Sequence, residues 1–215
     1  MIVYPAVEQR SEEWIALRRG RPTASRLKDI MTPVKMEYSK SARTYIAELI
    51  ASCFDTDIEG MVEDKLSTYW VRRGIELEPL ARIELAKILG AEIHDVGFCL
   101  HDDGLFGCSP DGMVKENGVW IKGGEFKCPA PKTHVQWVME GGIPSDYLCQ
   151  VHGSMVITGL KQWEFLSYCP GMKPLHVTAE YDTFTERLAE CMDRFAREYK
   201  ETMELMMPKL QLQLE

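Results

Sequence analysis

The stretch from Phe106 to Pro129 constrains this chain more than any other. Phe106 to Cys108 reads as extended, Ser109-Pro110-Asp111-Gly112 breaks it, and two further extended runs, 113–115 and 119–128, flank Asn117-Gly118. Asn-Gly tolerates the positive φ angles of a tight hairpin turn, so those two runs are predicted to pair antiparallel. Side chains alternate along a strand, which puts Glu125 and Lys127 on one face and Phe126 on the other, toward a core. The same hairpin can carry Asp111 alongside them.

Taken singly, each piece has a plainer explanation. Pro-Asp-Gly is ordinarily a turn, and Glu-x-Lys on a strand is ordinarily a solvent-face ion pair. The context alters that reading: a hydrophobic strand precedes Pro-Asp, a hairpin-length gap follows, and Glu-x-Lys runs into Cys128-Pro129 and a helix. Two carboxylates converging at a sheet edge form a hard oxygen site suited to Mg²⁺, and a neighbouring ammonium can orient and polarise water.

Elsewhere the pattern alternates between helical and extended. Ser11 is a candidate N-cap for a short helix carrying Trp14, Leu17 and Arg18, ended by Gly20 and Pro22. Further helices are expected over 23–31, over 41–53 and over 67–89, the last containing Glu78 and open to a bend at Gly74. Extended segments are expected over 92–101, 106–108, 113–115 and 119–128. Helices over 132–140 and 145–158, strands over 162–169 and 175–180, and a helix over 183–207 close the chain. This order predicts an α/β, mixed α+β fold: a central mixed β-sheet flanked by helices on both faces.

The 215 residues suit a single domain, 1–215. No run approaches about 18 apolar residues and the N-terminus is too short for a signal core, so a cytoplasmic protein with no membrane association is expected. Seven scattered cysteines without a CxxC pair argue for buried thiols and against a zinc ribbon or iron–sulfur cluster. The net charge of −8 speaks against a nucleic-acid partner on average. Locally, however, Arg18, Arg19, Arg21, Arg26 and Lys28 form a basic cluster, and Arg72-Arg73 a second; a solvated basic face remains the simpler reading of each taken alone.

The motifs together resemble the PD-(D/E)xK nuclease superfamily and, within it, the phage lambda exonuclease type, the YqaJ-like viral recombinases. Trp14-Ile-Ala-Leu-Arg18-Arg-Gly20 with Thr23-Ala24-Ser25 is similar to that family's N-terminal W-x-x-L-R-x-G-x-x-T-A-S signature. Gly74-Ile-Glu-Leu-Glu78 resembles its G-x-x-x-E helix, Cys108 to Gly112 its C-S-P-D-G, and Glu125 to Pro129 its E-x-K-C-P. Gln150-Val151 resembles its later helix, and nothing in the last 60 residues or so matches a motif.

The resemblance implies a restriction-endonuclease-like core and a role for each matched position. Asp111, Glu125 and the Phe126 carbonyl would bind one Mg²⁺, Glu78 would help Asp111 hold a second ion or its water, and Lys127 would activate the attacking water. Mn²⁺ is a candidate substitute. Arg18, Ser25 and Ser109 would form a 5′-phosphate pocket, although a surface salt bridge for Arg18 and a helix cap for Ser25 are the plainer alternatives. Gln150 and His152 are possible accessory residues. His152 stands where a second glutamine is usual, and it is either a contact to a metal-bound water or a satisfied polar residue at the margin; Ser154 stands where bacterial helicase-nuclease relatives have tyrosine. Trp70, Val71 and Arg72 are candidates by position for a strand-separating wedge.

The activity so implied is Mg²⁺-dependent 5′→3′ exonucleolytic degradation of one strand of linear double-stranded DNA, leaving 3′ overhangs for recombination by strand annealing. A homotrimer around the DNA, a single-strand annealing partner and a bacterial or prophage origin come with it. Two other readings stay open: a structure-selective or restriction-type endonuclease on the same core, and an inactivated nuclease fold used for DNA binding.

Overall fold

In the computed structural model, the structure describes residues 1–54 and 69–210. Its central element is a four-stranded mixed sheet, β6 (Gly112–Glu116), β7 (Val119–Lys127), β8 (Gln162–Ser167) and β9 (Leu175–Glu180), in that spatial order. β6 and β7 pair antiparallel, β7 and β8 parallel, and β8 and β9 antiparallel. The β6–β7 hairpin turns on Asn117 and Gly118, both at positive φ, as the residue pair predicts. A second sheet joins β1 (Ile2–Tyr4), β4 (Phe98–Leu100) and β5 (Gly107–Cys108), and β2 (Met31–Thr32) pairs with β3 (Glu37–Tyr38).

Six α-helices surround these strands among the described residues: α1 (Glu12–Arg18), α2 (Ala42–Ser52), α3 (Tyr69–Leu89), α4 (Pro131–Glu140), α5 (Ser145–Thr158) and α6 (Thr183–Leu210). The parallel register sets Glu125 beside Phe165 and Phe126 beside Leu166. One face therefore carries Phe126 and Leu166, which pack with Ala81 and Leu85 of α3. The other carries Phe165 and Trp163, which join the main core with Val151 and Met155 of α5 and Leu188, Met192 and Phe195 of α6. Both faces are covered by apolar burial, the main favourable term in such a fold.

The mixed α/β architecture is the one expected, with differences in detail. Residues 24–29 form a 3-10 helix instead of the α-helix expected over 23–31. Pro22 and Pro33 bound the segment, Thr23 bridges to Gly107, and Met31 is drawn into β2 by pairing with Tyr38, leaving too few residues for an α-helical run. The extended segment expected over 92–101 is regular only at Phe98–Leu100, apart from an isolated bridge between His94 and Met113. β1, β2 and β3, with two or three residues each, are too short to leave an alternating pattern. α3 runs unbroken through Gly74 and contains Pro79, while the start expected at Ser67 lies outside the described residues. α6 continues past the expected end at Met207 to Leu210.

No helix among the described residues is long and apolar enough to cross a membrane. All seven cysteines are free, and five of them are buried.

Candidate active site

Asp111 lies just ahead of β6, where its N–H donates to the Gly124 carbonyl at 3.0 Å. The β6–β7 ladder ends at the pair Gly112 and Gly124, so the next inward-pointing N–H of β7, that of Phe126, lies beyond it. Asp111 supplies the partner: its Oδ2 accepts from the Phe126 N–H at 2.6 Å. In a strand the N–H and C=O of one residue point to the same side, so the Phe126 carbonyl faces the same edge as the Asp111 carboxylate. Alternation gives the Lys127 carbonyl to β8, where it accepts from the Tyr168 N–H at 2.8 Å.

Glu125 and Lys127 share a face as expected, and the Lys127 Nζ meets the buried Glu125 Oε1 at 2.5 Å. The ammonium also lies 4.8 Å from the Tyr147 ring centroid. Burial works against the Lys127 charge, but Glu125 and Asp111 outweigh it, and its pKa is raised. Asp111 shows the complementary effect: burial first, then the charges of Glu125 and Glu78, push its carboxyl well above the usual range. Burial pushes the Cys128 thiol up to about 11, which removes it as a thiolate nucleophile.

Glu78, on α3, lines a cleft of about 550 Å³ together with Arg10, Trp70, Gly74, Asp111, Lys127 and Tyr147. Its two oxygens pair with Arg10 and Arg82, each at 3.4 Å. All the expected metal donors are hard oxygens, and the raised Asp111 carboxyl marks a surplus of negative charge that a cation would relieve. As the side chains stand, however, no three His, Cys, Asp or Glu groups among the described residues are gathered closely enough to hold an ion. Lys127 engages one Glu125 oxygen, and Arg10 and Arg82 engage the two Glu78 oxygens, so basic side chains stand beside both carboxylates.

A smaller cavity of about 210 Å³ opens from the same residues. Asp111, Glu125 and Lys127 line it together with Trp14, Arg18, Ser25, Ser109, Gln150 and Ser154. Arg18 donates to Ser109 Oγ at 3.5 Å, to Thr23 Oγ1 at 3.2 Å and to Ser25 Oγ at 3.4 Å. The Trp14 indole N–H donates to Ser109 Oγ at 2.7 Å, and the Arg18 guanidinium stacks 4.2 Å over that indole. Burial lowers the Arg18 pKa to about 10, still charged at neutral pH. A stacked guanidinium whose hydrogen-bond partners are all hydroxyls suits an incoming phosphate.

This pocket depends on a close approach. A Cβ on Gly153 of α5 would lie 1.9 Å from Leu27, so the absence of a side chain lets the 3-10 helix that carries Ser25 pack against the helix that carries Gln150 and Ser154. Gln150 and Ser154, one helical turn apart, both face the cavity. His152 does not. Two residues along a helix is about 200°, and His152 points to α6, where Nδ1 meets Thr185 Oγ1 at 2.7 Å and the ring packs on Phe184. Of the two readings open for His152, the geometry accords with a polar residue at the margin: it is buried, hydrogen-bonded through Nδ1 and absent from the cavity lining.

The basic cluster is also less open than its composition implies. Arg26 pairs with Asp29 at 2.5 Å and Glu48 at 2.7 Å, and Arg21 donates to the Leu17 and Gly104 carbonyls. Trp70 and Val71 line the large cleft and are half exposed, whereas Arg72 does not line it.

Several contributors were not legible as site residues. Gln9 donates to the Pro110 carbonyl at 3.0 Å, Arg82 to the Asp111 carbonyl at 2.8 and 3.1 Å, and Arg73 to the carbonyls of Cys128 and Pro129 at 2.9 and 3.0 Å. Each braces a loop of the site through its backbone, which leaves no signature in spacing. Trp14 alone had one: it is four residues before Arg18, on the same helical face.

The chain as a whole is similar in fold to several solved structures. The alkaline exonuclease LHK-Exo from Laribacter hongkongensis matches with a TM-score of 0.70 at 27% identity over 94% of this chain and 100% of that one. LHK-Exo in complex with dAMP matches with a TM-score of 0.75 at 28% identity, covering 93% of this chain and 97% of that one. A phage-related exonuclease from Haemophilus somnus 129PT shares the fold, with a TM-score of 0.59 at 12% identity over 89% of this chain and 99% of that one. No curated protein matches the sequence. Residues 13–161 match the YqaJ-like viral recombinase domain, and they contain every motif from Trp14 to Gln150. With a restriction-endonuclease-like mixed sheet and a matched segment covering well over half its length, the chain belongs to the YqaJ-like viral recombinase family, related to the PD-(D/E)xK exonucleases.

Proposed function

We propose that this protein is a Mg²⁺-dependent 5′→3′ exonuclease that degrades one strand of linear duplex DNA from 5′-phosphorylated ends and leaves 3′ overhangs for strand annealing. The observation that carries the reading is the sharing of Asp111, Glu125 and Lys127 between the centre and the Arg18, Ser25 and Ser109 pocket. An enzyme that recognises a terminal phosphate and cuts the next linkage needs those two features within one nucleotide of each other. Family membership and the resemblance to LHK-Exo support the reading.

Asp111, Glu125 and the Phe126 carbonyl would hold one Mg²⁺, and Glu78 with Asp111 a second ion or its water; Mn²⁺ has compatible ligand chemistry. Bound there, divalent cations supply charge stabilisation to an in-line displacement at phosphorus. The protein's own residues do the rest. Lys127, held charged above all by the adjoining Glu125 carboxylate, has no free electron pair to accept a proton, so its role is to orient and polarise the attacking water. Arg18 and the two serine hydroxyls hold the terminal phosphate dianion and set the position of the linkage to be cut. Gln150 contributes a polar side chain at the border of the two.

A homotrimer enclosing DNA and a single-strand annealing partner belong to the same proposal. With a net charge of −8, such a ring would keep acid outward and bring its arginines to the substrate.

The test is digestion of linear duplex bearing 5′-phosphate or 5′-hydroxyl ends, with Mg²⁺, with Mn²⁺ or with EDTA, beside a closed circle. Degradation of the phosphorylated line alone is expected. Equal cleavage of circle and line points to the endonuclease alternative, and full activity in EDTA overturns the metal requirement. Lys127→Ala should lower turnover by about 10²- to 10⁴-fold while duplex binding persists; unchanged turnover would remove Lys127 from the catalytic role, and a wild-type protein that binds duplex without cutting it would favour the DNA-binding alternative.

A further inference from the structure

Arg10 has a backbone conformation that its residue type disfavours. Its φ is +75°, in the left-handed region where a side chain other than glycine's meets the neighbouring carbonyl. The turn is fixed on both sides. Gln9 is tied to the Pro110 carbonyl beside the Asp111 loop, and Ser11 caps α1 by accepting from the Trp14 N–H at 3.2 Å. Glycine would satisfy this turn without strain, so the presence of arginine calls for an advantage located in its side chain.

That side chain enters the large cleft, on the lining shared by Glu78, Asp111 and Lys127. Its pairing there is slight: one Nη2 to one Glu78 oxygen at 3.4 Å, with the side chain still one-third exposed. Glu78 does not depend on it for charge balance, because Arg82 pairs with the other oxygen and is itself anchored on the Asp111 carbonyl and Asp95. A strained, loosely paired guanidinium with spare donors at the wall of a nuclease cleft is suited to a phosphodiester.

We propose that Arg10 is a substrate-binding residue that contacts a backbone phosphate of the DNA lying in the large cleft, apart from the terminal-phosphate pocket of Arg18. The assignment rests on the nuclease reading above. It adds a second fixed point on the strand, in the large cleft where Arg18 anchors the smaller cavity, with Asp111 common to both. It therefore bears on how the scissile linkage is aligned.

The test uses Arg10→Gly, which removes the cation and the strain together, and Arg10→Lys, which keeps the cation. Binding of a 5′-phosphorylated duplex is followed by fluorescence anisotropy over a range of NaCl concentrations, without divalent cation so that the probe stays intact. For the glycine variant, affinity at low salt should fall roughly tenfold or more. Its slope of log K against log salt should shrink by about 0.9, the value for one phosphate no longer neutralised by the protein. Lysine should restore the slope, and thermal melting of the glycine variant should not fall below wild type. A glycine variant with the wild-type slope and affinity overturns the assignment, as does one whose slope is unchanged while its melting temperature drops, the mark of a structural residue. If the wild-type protein neither binds the duplex in this assay nor degrades it when Mg²⁺ is supplied, both this assignment and the nuclease reading fail, whereas a wild-type binder with an unaltered glycine variant sinks the assignment alone.

Discussion

Arg82 donates two hydrogen bonds, at 2.8 and 3.1 Å, to the backbone carbonyl of Asp111, and the same guanidinium pairs with Glu78 at 3.4 Å and with Asp95 at 3.1 Å. One side chain of α3 thereby ties together the loop that carries Asp111 and the Glu78 carboxylate. Hydrogen bonds from a charged donor contribute about 1.5–3 kcal/mol each, less where water screens them. Arg82→Ala should therefore destabilise the fold modestly and lower nuclease activity by about 10- to 100-fold, the usual scale for residues that orient ligands. Thermal melting and initial rates at saturating Mg²⁺ would check it; an active, stable variant would show that Asp111 is held adequately by Phe126 and Gly124 alone.

Asp111 links stability and pH. Its folded carboxyl is raised by burial and by Glu125 and Glu78, so in the cation-free protein it keeps a proton that the unfolded chain releases. The unfolded state then binds fewer protons, and the contribution of this group to stability falls as pH rises from the ordinary carboxylate range through the raised value. Asp111→Asn removes the charge and keeps an acceptor for the Phe126 N–H. Without divalent cation it should melt higher than wild type at pH 8, with the gap closing toward about pH 4, near the ordinary carboxylate value, while its activity is lost. Melting curves at several pH values in EDTA would decide, and a gap that widens as pH falls would refute the account.

The same carboxyl predicts the acid limb of activity. A cation must displace the Asp111 proton, so binding is competitive with protonation. Raising Mg²⁺ should move the acid limb of the rate profile to lower pH. Rate profiles at two Mg²⁺ concentrations with superimposable acid limbs would contradict this.

Trp14 and Arg18 act on Ser109 together, through the indole N–H at 2.7 Å and the guanidinium at 3.5 Å. Trp14→Phe keeps most of the stacking surface and deletes the donor. The preference for 5′-phosphate over 5′-hydroxyl ends should drop about 5-fold for Trp14→Phe, from one neutral hydrogen bond of about 1 kcal/mol. Arg18→Ala should lower it about 10- to 100-fold, since it removes a charge-assisted hydrogen bond to the phosphate. Competition between the two ends in one digestion would measure both, and a preference indifferent to Arg18 would remove the pocket from the proposal.

The legible part of this protein is local. Asn117-Gly118 encodes its hairpin through backbone torsion, and the alternation of Glu125, Phe126 and Lys127 encodes which side chains share a face. Ser11, Glu12 and Glu13 mark the start of α1, and the motif residues from Arg18 to Gln150 could be named because their spacing resembles a family. These signals depend on φ preferences and periodicity over a few residues, which a linear chain already contains.

What tertiary structure decided is which distant groups meet. Arg82 on the Asp111 carbonyl, Gln9 on Pro110 and Arg73 on Cys128 and Pro129 are side-chain hydrogen bonds to backbone, and any residue could offer the acceptor. His152 is ambiguous by sequence because it stands where the resembled family usually has a second glutamine; the packing of α5 against α6 turns it to Thr185. Residues 24–29 carry a helical pattern, yet pairing at Thr23 and Met31 fixed them as a 3-10 helix. Sequence determined the face each residue occupies within its own element, and packing between elements determined what that face would meet.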